Sequence, residues 1–173
     1  MATGFSSSDG NDLLRAEETV RARIGDNDFD FASLAAVSNV FRVANTAKYH
    51  FERTVLGPYD LSFTAFTVLW VLWVWGELES RHLAAEAGIT KGTLTGVVKT
   101  LERRGLVDRR SHAADRRLVL VIASEDGVTT MERLFAEFNR EETKITKQLS
   151  SSDKRELAHH LRTILRTLES FED

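Results

Sequence analysis

The residues best suited to binding chemistry in this chain are basic, and they cluster in its middle. Between Lys91 and Arg117 there are eight lysines and arginines and three acids, a net charge of +5, whereas the 173-residue chain has a formal net charge of −3. The rest of the chain is therefore −8. A basic segment in an acidic protein indicates a localised surface for a polyanion such as DNA. A solvated, charged helix face would produce the same local charge, so charge alone leaves both interpretations open.

Patterns that indicate catalysis or metal binding are scarce. The sequence contains no HExxH, P-loop, GxSxG or GxGxxG motif, and without cysteine it has no thiol nucleophile and no thiolate metal ligand. His159 and His160, with nearby acids, could ligate zinc, but adjacent residues point to different sides of a helix. We therefore predict no enzyme activity, no cofactor and no metal site, and keep a metal-responsive protein as an alternative.

Hydrophobic spacing predicts the elements that carry the basic residues. "RHLAAEAG", with Ser80 as its expected N-cap, and "KGTLTGVVKTLERRG", with Thr90 as N-cap, predict two short helices that end at Gly88 and Gly105. "LVDRR" and "RLVLVIA" have the pattern of β-strands, and the polar "SHAAD" between them predicts a hairpin turn. This order of elements is typical of a winged helix-turn-helix.

In such a unit the second helix enters the major groove, and the hairpin tip reaches the minor groove, whose negative potential favours arginine. The second helix keeps its apolar stripe inside, and its N-terminus offers free N–H groups to a phosphate. Asp115 can pair with Arg109 or Arg117 and set the shape of the tip. The candidate DNA-contacting residues are Thr90, Lys91, Gly92, Thr93, Thr95, Lys99, Arg109, Arg110, Asp115, Arg116 and Arg117.

Long helices flank this unit on both sides. One helix is predicted over Asp12 to Ile24, and a second starts after the N-cap Asp30 and ends at "GP" 57–58. Two more follow Ser124 and "SSSD" 150–153. The fold class is therefore mainly α with a small β-hairpin wing. The predicted organisation is a disordered N-terminal tip at 1–11, N-terminal dimerisation helices at 12–60, the winged helix-turn-helix at 61–123, and C-terminal dimerisation helices at 124–173.

The last helix predicts self-association. It is apolar at 157, 161, 164, 165 and 168, and a terminal helix with that stripe must bury it against something. A partner subunit is one solution, and packing within one subunit is the other.

The stretch "FTVLWVLWVWGEL", Phe66 to Leu78, contains all three tryptophans. It is shorter than the roughly 20 apolar residues that a membrane span needs, and it is apolar all round, so it predicts an inner helix with buried tryptophans. The N-terminus has no secretory signal pattern. These features predict a cytoplasmic protein without a membrane partner.

Residues His82 to Gly127 resemble the multiple-antibiotic-resistance regulator (MarR) family. The matching features are Leu83–Ala84, Gly88–Ile89–Thr90, "RGLV" at 104–107, the Asp-x-Arg of Asp115 and Arg117, and Gly127 twelve residues past that aspartate. The resemblance implies a homodimeric transcription regulator that presents two winged helices to a pseudo-palindromic site in double-stranded DNA. Repression is the commoner mode of action in this family.

The resemblance also implies a ligand. In the family, small effectors, often aromatic, bind in the cleft between the dimerisation helices and the DNA-reading unit. We therefore expect a repressor released by a small aromatic effector, and a winged-helix protein-interaction module without DNA activity is the alternative. The candidate effector-pocket residues are His50, Phe51, Phe63, Trp70 and Trp73, with ordinary core packing as the other interpretation of the same residues.

Overall fold

A computed structural model describes residues 11–25, 29–111 and 118–171, and within these ranges it contains seven α-helices and three β-strands. This is the predicted mainly α fold with a small antiparallel sheet. The helices are α1 (Asn11–Ile24), α2 (Phe31–Phe51), α3 (Phe63–Trp75), α4 (Ser80–Glu86), α5 (Lys91–Arg103), α6 (Glu125–Ile145) and α7 (Ser151–Glu169). The strands are β1 (Leu78–Glu79), β2 (Val107–Ser111) and β3 (Val119–Ala123).

The chain forms two compact units, Met1–Tyr49 and His50–Asp173. In the first, α1 is joined to α2 by a hydrogen bond from Asn39 to Glu17 of 2.9 Å. Asp30 caps α2 as predicted, because its Oδ1 accepts hydrogen bonds from two N–H groups of the first turn. Of the predicted disordered tip, 1–11, only Asn11 lies among the described residues, and α1 begins there.

Helix α3 is the centre of the second unit. Ser62 caps it by accepting a hydrogen bond from the N–H of Ala65 at 3.1 Å, and it ends before Gly76, whose φ of 75° suits glycine. It packs against α4, α5, α6 and β3. Burial of its leucines and phenylalanine contributes about 1.5–3 kcal/mol per side chain. The buried positions are Ala65, Phe66, Val68, Leu69, Val71 and Leu72.

The predicted burial of the tryptophans is wrong. Trp75 is 63% exposed and Trp70 is 36% exposed, while Trp73 is half-buried. An apolar residue at every helical position shows that the helix has no polar face, but it does not show that every face is covered. The rest of the second unit covers the face of α3 that carries Val68, Leu69 and Leu72, whereas Trp70 and Trp75 lie on an exposed face and Trp73 lies at its edge.

No single helix in the described part of the chain is long and apolar enough to cross a membrane. The bent pair of helical segments Phe31–Tyr59 and Phe63–Trp75 satisfies the length and composition of a span only when the two are taken together, and core helices of soluble proteins also pass this test.

The sheet has three strands in the order β1-β3-β2, all antiparallel. Strands β2 and β3 form the predicted hairpin, with Val107 opposite Ala123 and Ser111 opposite Val119. The third strand, β1, was not predicted. It has only two residues, which is too short to show the alternation of a strand.

Two predicted helix boundaries are wrong. The helical run after α2 does not end at Gly57 but continues through a π-helical turn, Glu52–Leu56, and a 3-10 turn, Gly57–Tyr59. It ends at Asp60, which adopts a left-handed conformation at φ 49°. Proline is tolerated in the first turn of a helix, and aspartate tolerates the left-handed region, so this sequence permits the extension.

Ser80 does not cap α4. The N-cap is Glu79, the last residue of β1, so Ser80 already lies in the first turn of the helix. Its hydroxyl instead donates a hydrogen bond of 3.2 Å to the carbonyl oxygen of Val119 and thereby joins α4 to β3.

The C-terminal helices differ in burial. Ser124 caps α6, which buries Met131, Leu134 and Phe138. A reciprocal capping box between Ser150 and Asp153 starts α7, but no residue of α7 is buried.

Candidate nucleic-acid interface

Helix α5 presents a polar and basic face to solvent. Thr90 caps it as predicted, because its hydroxyl oxygen accepts a hydrogen bond of 3.2 Å from the N–H of Thr93. The opposite face buries Leu94, Val98 and Leu101 against α3, α4 and β2. The burial of these three residues therefore fixes which side chains of α5 point outward. The exposed residues of this outer face are Lys91, Gly92, Thr93, Thr95, Gly96 and Lys99.

The outer face combines small residues with short hydroxyl side chains. A Cβ added at Gly96 would meet no atom within 4 Å, so the backbone is open there to a close approach by another molecule. Thr95 donates a hydrogen bond of 2.9 Å to the carbonyl oxygen of Lys91, which leaves its oxygen lone pairs free to accept. Lysines at both ends of such a face suit the contacts with phosphates that flank a major groove.

A cavity of about 270 Å³ lies between α4, α5 and the sheet. Three basic side chains line it: Arg81, Lys91 and Arg109. Arg81 was not among the predicted residues, because no spacing in the sequence links the start of α4 to the start of α5. It forms an ion pair of 2.9 Å with Glu79, and most of its side chain is exposed.

Arg109 is held by a carboxylate within its own chain. Its Nε and Nη2 donate hydrogen bonds of 3.0 and 2.5 Å to the two carboxylate oxygens of Glu102, which joins β2 to α5. The hydrogen bond from Arg109 lowers the pKa of Glu102, and the same bond raises the pKa of Arg109. Arg109 thus pairs with Glu102, an acid that the sequence had not nominated, and the predicted pairing of Asp115 with Arg109 or Arg117 lies outside the described residues. Arg110 is exposed on the same strand.

Asp115, Arg116 and Arg117, which the sequence nominated for contact with DNA, lie outside the described residues. Their roles stay predictions.

Gly127 lies where two segments meet closely. A Cβ at this position would be 2.0 Å from the carbonyl oxygen of Leu106, so no larger residue fits. Ser124 reinforces the same junction, because its N–H donates to Leu106 at 3.1 Å and its hydroxyl donates to the carbonyl oxygen of Gly105. The junction fixes the start of α6 to the start of β2, and this close approach gives a physical reason for the glycine that follows the wing at fixed spacing.

Comparison with known proteins agrees with this geometry. Residues 61–119 match the MarR family. The chain is 32% identical over 161 residues to the HTH-type transcriptional regulator YwaE of Bacillus subtilis (strain 168), an alignment that covers 91% of this chain and 94% of that protein. The chain belongs to the MarR family.

Solved structures of MarR-type regulators share the fold. AbsC, a MarR family regulator from Streptomyces coelicolor, superposes with a TM-score of 0.73 at 20% identity over 83% of this chain and 99% of AbsC. NadR, solved in complex with 4-hydroxyphenylacetate, superposes with a TM-score of 0.67 at 22% identity over 80% of this chain and 99% of NadR. The protein is thus a DNA-binding transcriptional regulator of the MarR family and not an enzyme.

In this MarR-family regulator, the predicted effector residues Phe51 and Phe63 lie in one aromatic group and Trp73 lies in another. Phe51 is 4% exposed and stacks on Phe138 with ring centroids 4.0 Å apart. The ring centroid of Phe63 lies 6.5 Å from that of Phe138. The ring centroid of Trp73 lies 5.4 Å from that of Phe135. The ring contacts found among the described residues do not include Trp70. Phe51 therefore packs in the core.

His50 is tied to α6. Its Nε2 lies 2.7 Å from a carboxylate oxygen of Glu141, whose other oxygen accepts a hydrogen bond of 2.7 Å from Lys144. Hydrogen bonds from Lys144 and then from His50 lower the pKa of Glu141. A ligand that used His50 would have to share it with this carboxylate.

The histidine pair on α7 was the one metal-ligand candidate in the sequence. The rings of His159 and His160 lie edge to face with centroids 5.7 Å apart, and the Nε2 of His160 lies 3.6 Å from a carboxylate oxygen of Glu156. No group of three or more His, Cys, Asp or Glu side chains within the described ranges could hold a metal ion.

Proposed function

We propose that this MarR-family regulator is a homodimeric repressor whose two winged helices bind a pseudo-palindromic operator and are released by a small aromatic ligand. The observation that carries the DNA part is helix α5, which buries Leu94, Val98 and Leu101 and exposes a basic, small-residue face beside a cavity lined by Arg81, Lys91 and Arg109. Such a face suits a helix in a major groove.

The uncovered stripe of α7 supports the homodimer. Leu165 is 56% exposed and Leu168 is 54% exposed although both lie on the apolar side of a well-capped, 19-residue helix. Contiguous apolar surface of this kind marks an interaction site in a soluble protein, and most soluble oligomers are symmetric homo-oligomers. A two-fold dimer would also match the two half-sites of a palindromic operator.

Two observations support an aromatic ligand. NadR, which shares the fold, was solved with 4-hydroxyphenylacetate bound, and this chain holds exposed or half-buried aromatic rings at Trp70 and Trp73. Because Phe51 is fully engaged with Phe138, the two tryptophans are the residues to test first.

The DNA part is tested by selecting bound fragments from the source genome and measuring their affinity by fluorescence anisotropy between 50 and 200 mM salt. Affinity should fall by at least about a hundredfold over that range, because phosphate contacts release counterions. Lys91→Ala should weaken binding to all duplexes and reduce the salt slope by about one, whereas the exposed Lys147→Ala serves as the matched control and should change neither. Duplex affinity independent of salt would overturn the proposal.

The ligand part is tested by titrating a panel of aromatic acids, 4-hydroxyphenylacetate included, into the wild type and into Trp73→Phe and Trp70→Phe. At least one acid should quench tryptophan fluorescence and lower operator affinity in the same concentration range. A panel that changes neither signal would exclude an aromatic effector and leave DNA binding intact.

A further inference from the structure

Arg104 forms an unusual contact just past the end of α5, the recognition helix of the winged helix-turn-helix. It is the C-cap residue of α5, and its guanidinium donates two hydrogen bonds of 2.5 Å, from Nη1 to the carbonyl oxygen of Asp60 and from Nη2 to that of Tyr59. The rigid fork of the guanidinium matches two neighbouring acceptors, which a lysine ammonium cannot do. The two accepting carbonyls belong to the last turn of a helical run, where carbonyl groups have no partner within the helix itself.

The turn that accepts these bonds is itself anchored. The hydroxyl of Tyr59 donates a hydrogen bond of 3.0 Å to Glu137 on α6. Burial, and then the hydrogen bond to Glu137, raise the pKa of Tyr59. Next to it, Asp60 is in the left-handed conformation, and its N–H donates to the carbonyl oxygen of Gly57 at 2.9 Å. Asp60 thus closes a tight turn with a defined direction.

These contacts form a continuous connection from α5 through Arg104 to the turn, and from Tyr59 to α6. We propose that Arg104 is a positioning residue for DNA binding: it holds the C-terminal end of the recognition helix on the turn at 57–60, and through Tyr59 on α6, without touching DNA. The outward face that suits a groove runs from Lys91 to Lys99, at the other end of the same helix. A change in the tilt of α5 at Arg104 would therefore displace the end of the helix that carries Lys91 to Lys99.

The rival explanation is that Arg104, which is exposed, contacts a phosphate directly. Positioning and phosphate contact predict different results for Arg104→Lys and Arg104→Gln. The measurements are operator affinity, its dependence on salt, and the ratio of operator affinity to random-duplex affinity. Arg103→Gln removes the same charge from the adjacent exposed residue and provides the baseline.

Positioning predicts that Arg104→Lys and Arg104→Gln each weaken operator binding about tenfold relative to Arg103→Gln. The salt slope should not change, and the operator-to-random ratio should fall about as much as operator affinity does, because base contacts suffer more than phosphate contacts. This ratio does not respond to partial unfolding, which lowers both affinities equally. Wild-type affinity in Arg104→Lys, an unchanged ratio, or a salt slope reduced by about one in Arg104→Gln would overturn the proposal.

Tyr59→Phe tests the second half of the connection. It removes one hydroxyl and keeps the ring, so folding should be retained, and tyrosine carries no charge that could pair with a phosphate. We expect about threefold weaker operator binding at an unchanged salt slope. Wild-type affinity and ratio in Tyr59→Phe would overturn the link to α6.

Discussion

Helices α5 and α7 have the same design but different surroundings. Both begin at a side-chain N-cap, Thr90 in α5 and Ser150 in α7, and both carry an apolar stripe at helical spacing. The second unit of the chain buries the stripe of α5, whereas α7 has no buried residue. Helical spacing thus indicates that a face needs to be covered, and only the tertiary structure shows whether the chain itself covers it.

The difference between α5 and α7 is tested most strongly by placing charged residues in the apolar stripe of α7. The double variant Leu165→Glu and Leu168→Glu should raise the dimer dissociation constant at least about a hundredfold, because each leucine buried in an interface contributes about 1.5–3 kcal/mol and a buried carboxylate adds a penalty. Sedimentation equilibrium should then give the monomer mass of 19.5 kDa. Thr167→Glu, on an exposed polar position, is the control, and a double variant that stays dimeric would show that α7 is not the interface.

The close packing inside the second unit, which buries the stripe of α5, is tested at Gly127. Gly127→Ala should destabilise the second unit by about 3 kcal/mol, because the new methyl group would lie 2.0 Å from a backbone oxygen. Gly96→Ala, in a helix with nothing within 4 Å, should instead stabilise by about 0.5–1 kcal/mol. Urea unfolding measures both. Equal effects of the two substitutions would contradict the close approach at Leu106.

A smaller effect distinguishes Thr90, which caps α5, from Ser80, which does not cap α4. Thr90→Ala should cost about 1 kcal/mol, since the N–H of Thr93 loses its acceptor. Ser80→Ala should cost about half as much, because Ser80 makes one hydrogen bond to Val119 and caps nothing. Thermal unfolding of the pair checks the order. A larger loss of stability for Ser80→Ala than for Thr90→Ala would indicate that Ser80 caps α4, as the sequence suggested.

The smallest effect concerns the ion pair between Glu102 and Arg109. The pKa of Glu102 lies below its ordinary 4.5 because Arg109 donates to it. The folded state therefore binds the proton less well than the unfolded state, and the pair stabilises the fold above about pH 4.5 and ceases to do so as the pH falls through the lowered pKa.

Glu102→Gln should accordingly lower the melting temperature slightly at pH 7, and the difference from the wild type should close as the solution is acidified below about pH 4.5. The same substitution in an Arg109→Gln background provides the control and should have no pH-dependent effect. A difference that persists at pH 3 would show that packing, and not the charge, is responsible.

Much of the DNA-reading unit was predictable because its signals are local. The cap at Thr90, the stripe of α5 and the hairpin all depend on residues within a few positions of one another. Such signals describe a helix or strand before it packs. They were sufficient for the winged helix-turn-helix and for its exposed basic face.

The errors arose where distant segments meet. Strand β1 exists because Leu78 and Glu79 find β3, about forty residues away, and Ser80 is drawn to Val119 by the same pairing. Arg109 pairs with Glu102 because β2 lies beside α5, and the sequence had not nominated that acid. Spacing along the chain carries no information about these encounters.

The sequence by itself therefore determined the order of the elements, the caps that start them, and the basic, small-residue face of the recognition helix, because these follow from local backbone preferences and helical periodicity. The tertiary structure decided which apolar faces are covered, which acid holds Arg109, and that Arg104 reaches the turn at Tyr59 and Asp60. Those outcomes depend on which surfaces meet after the chain folds, and a single long-range contact reassigns a side chain that local pattern leaves free.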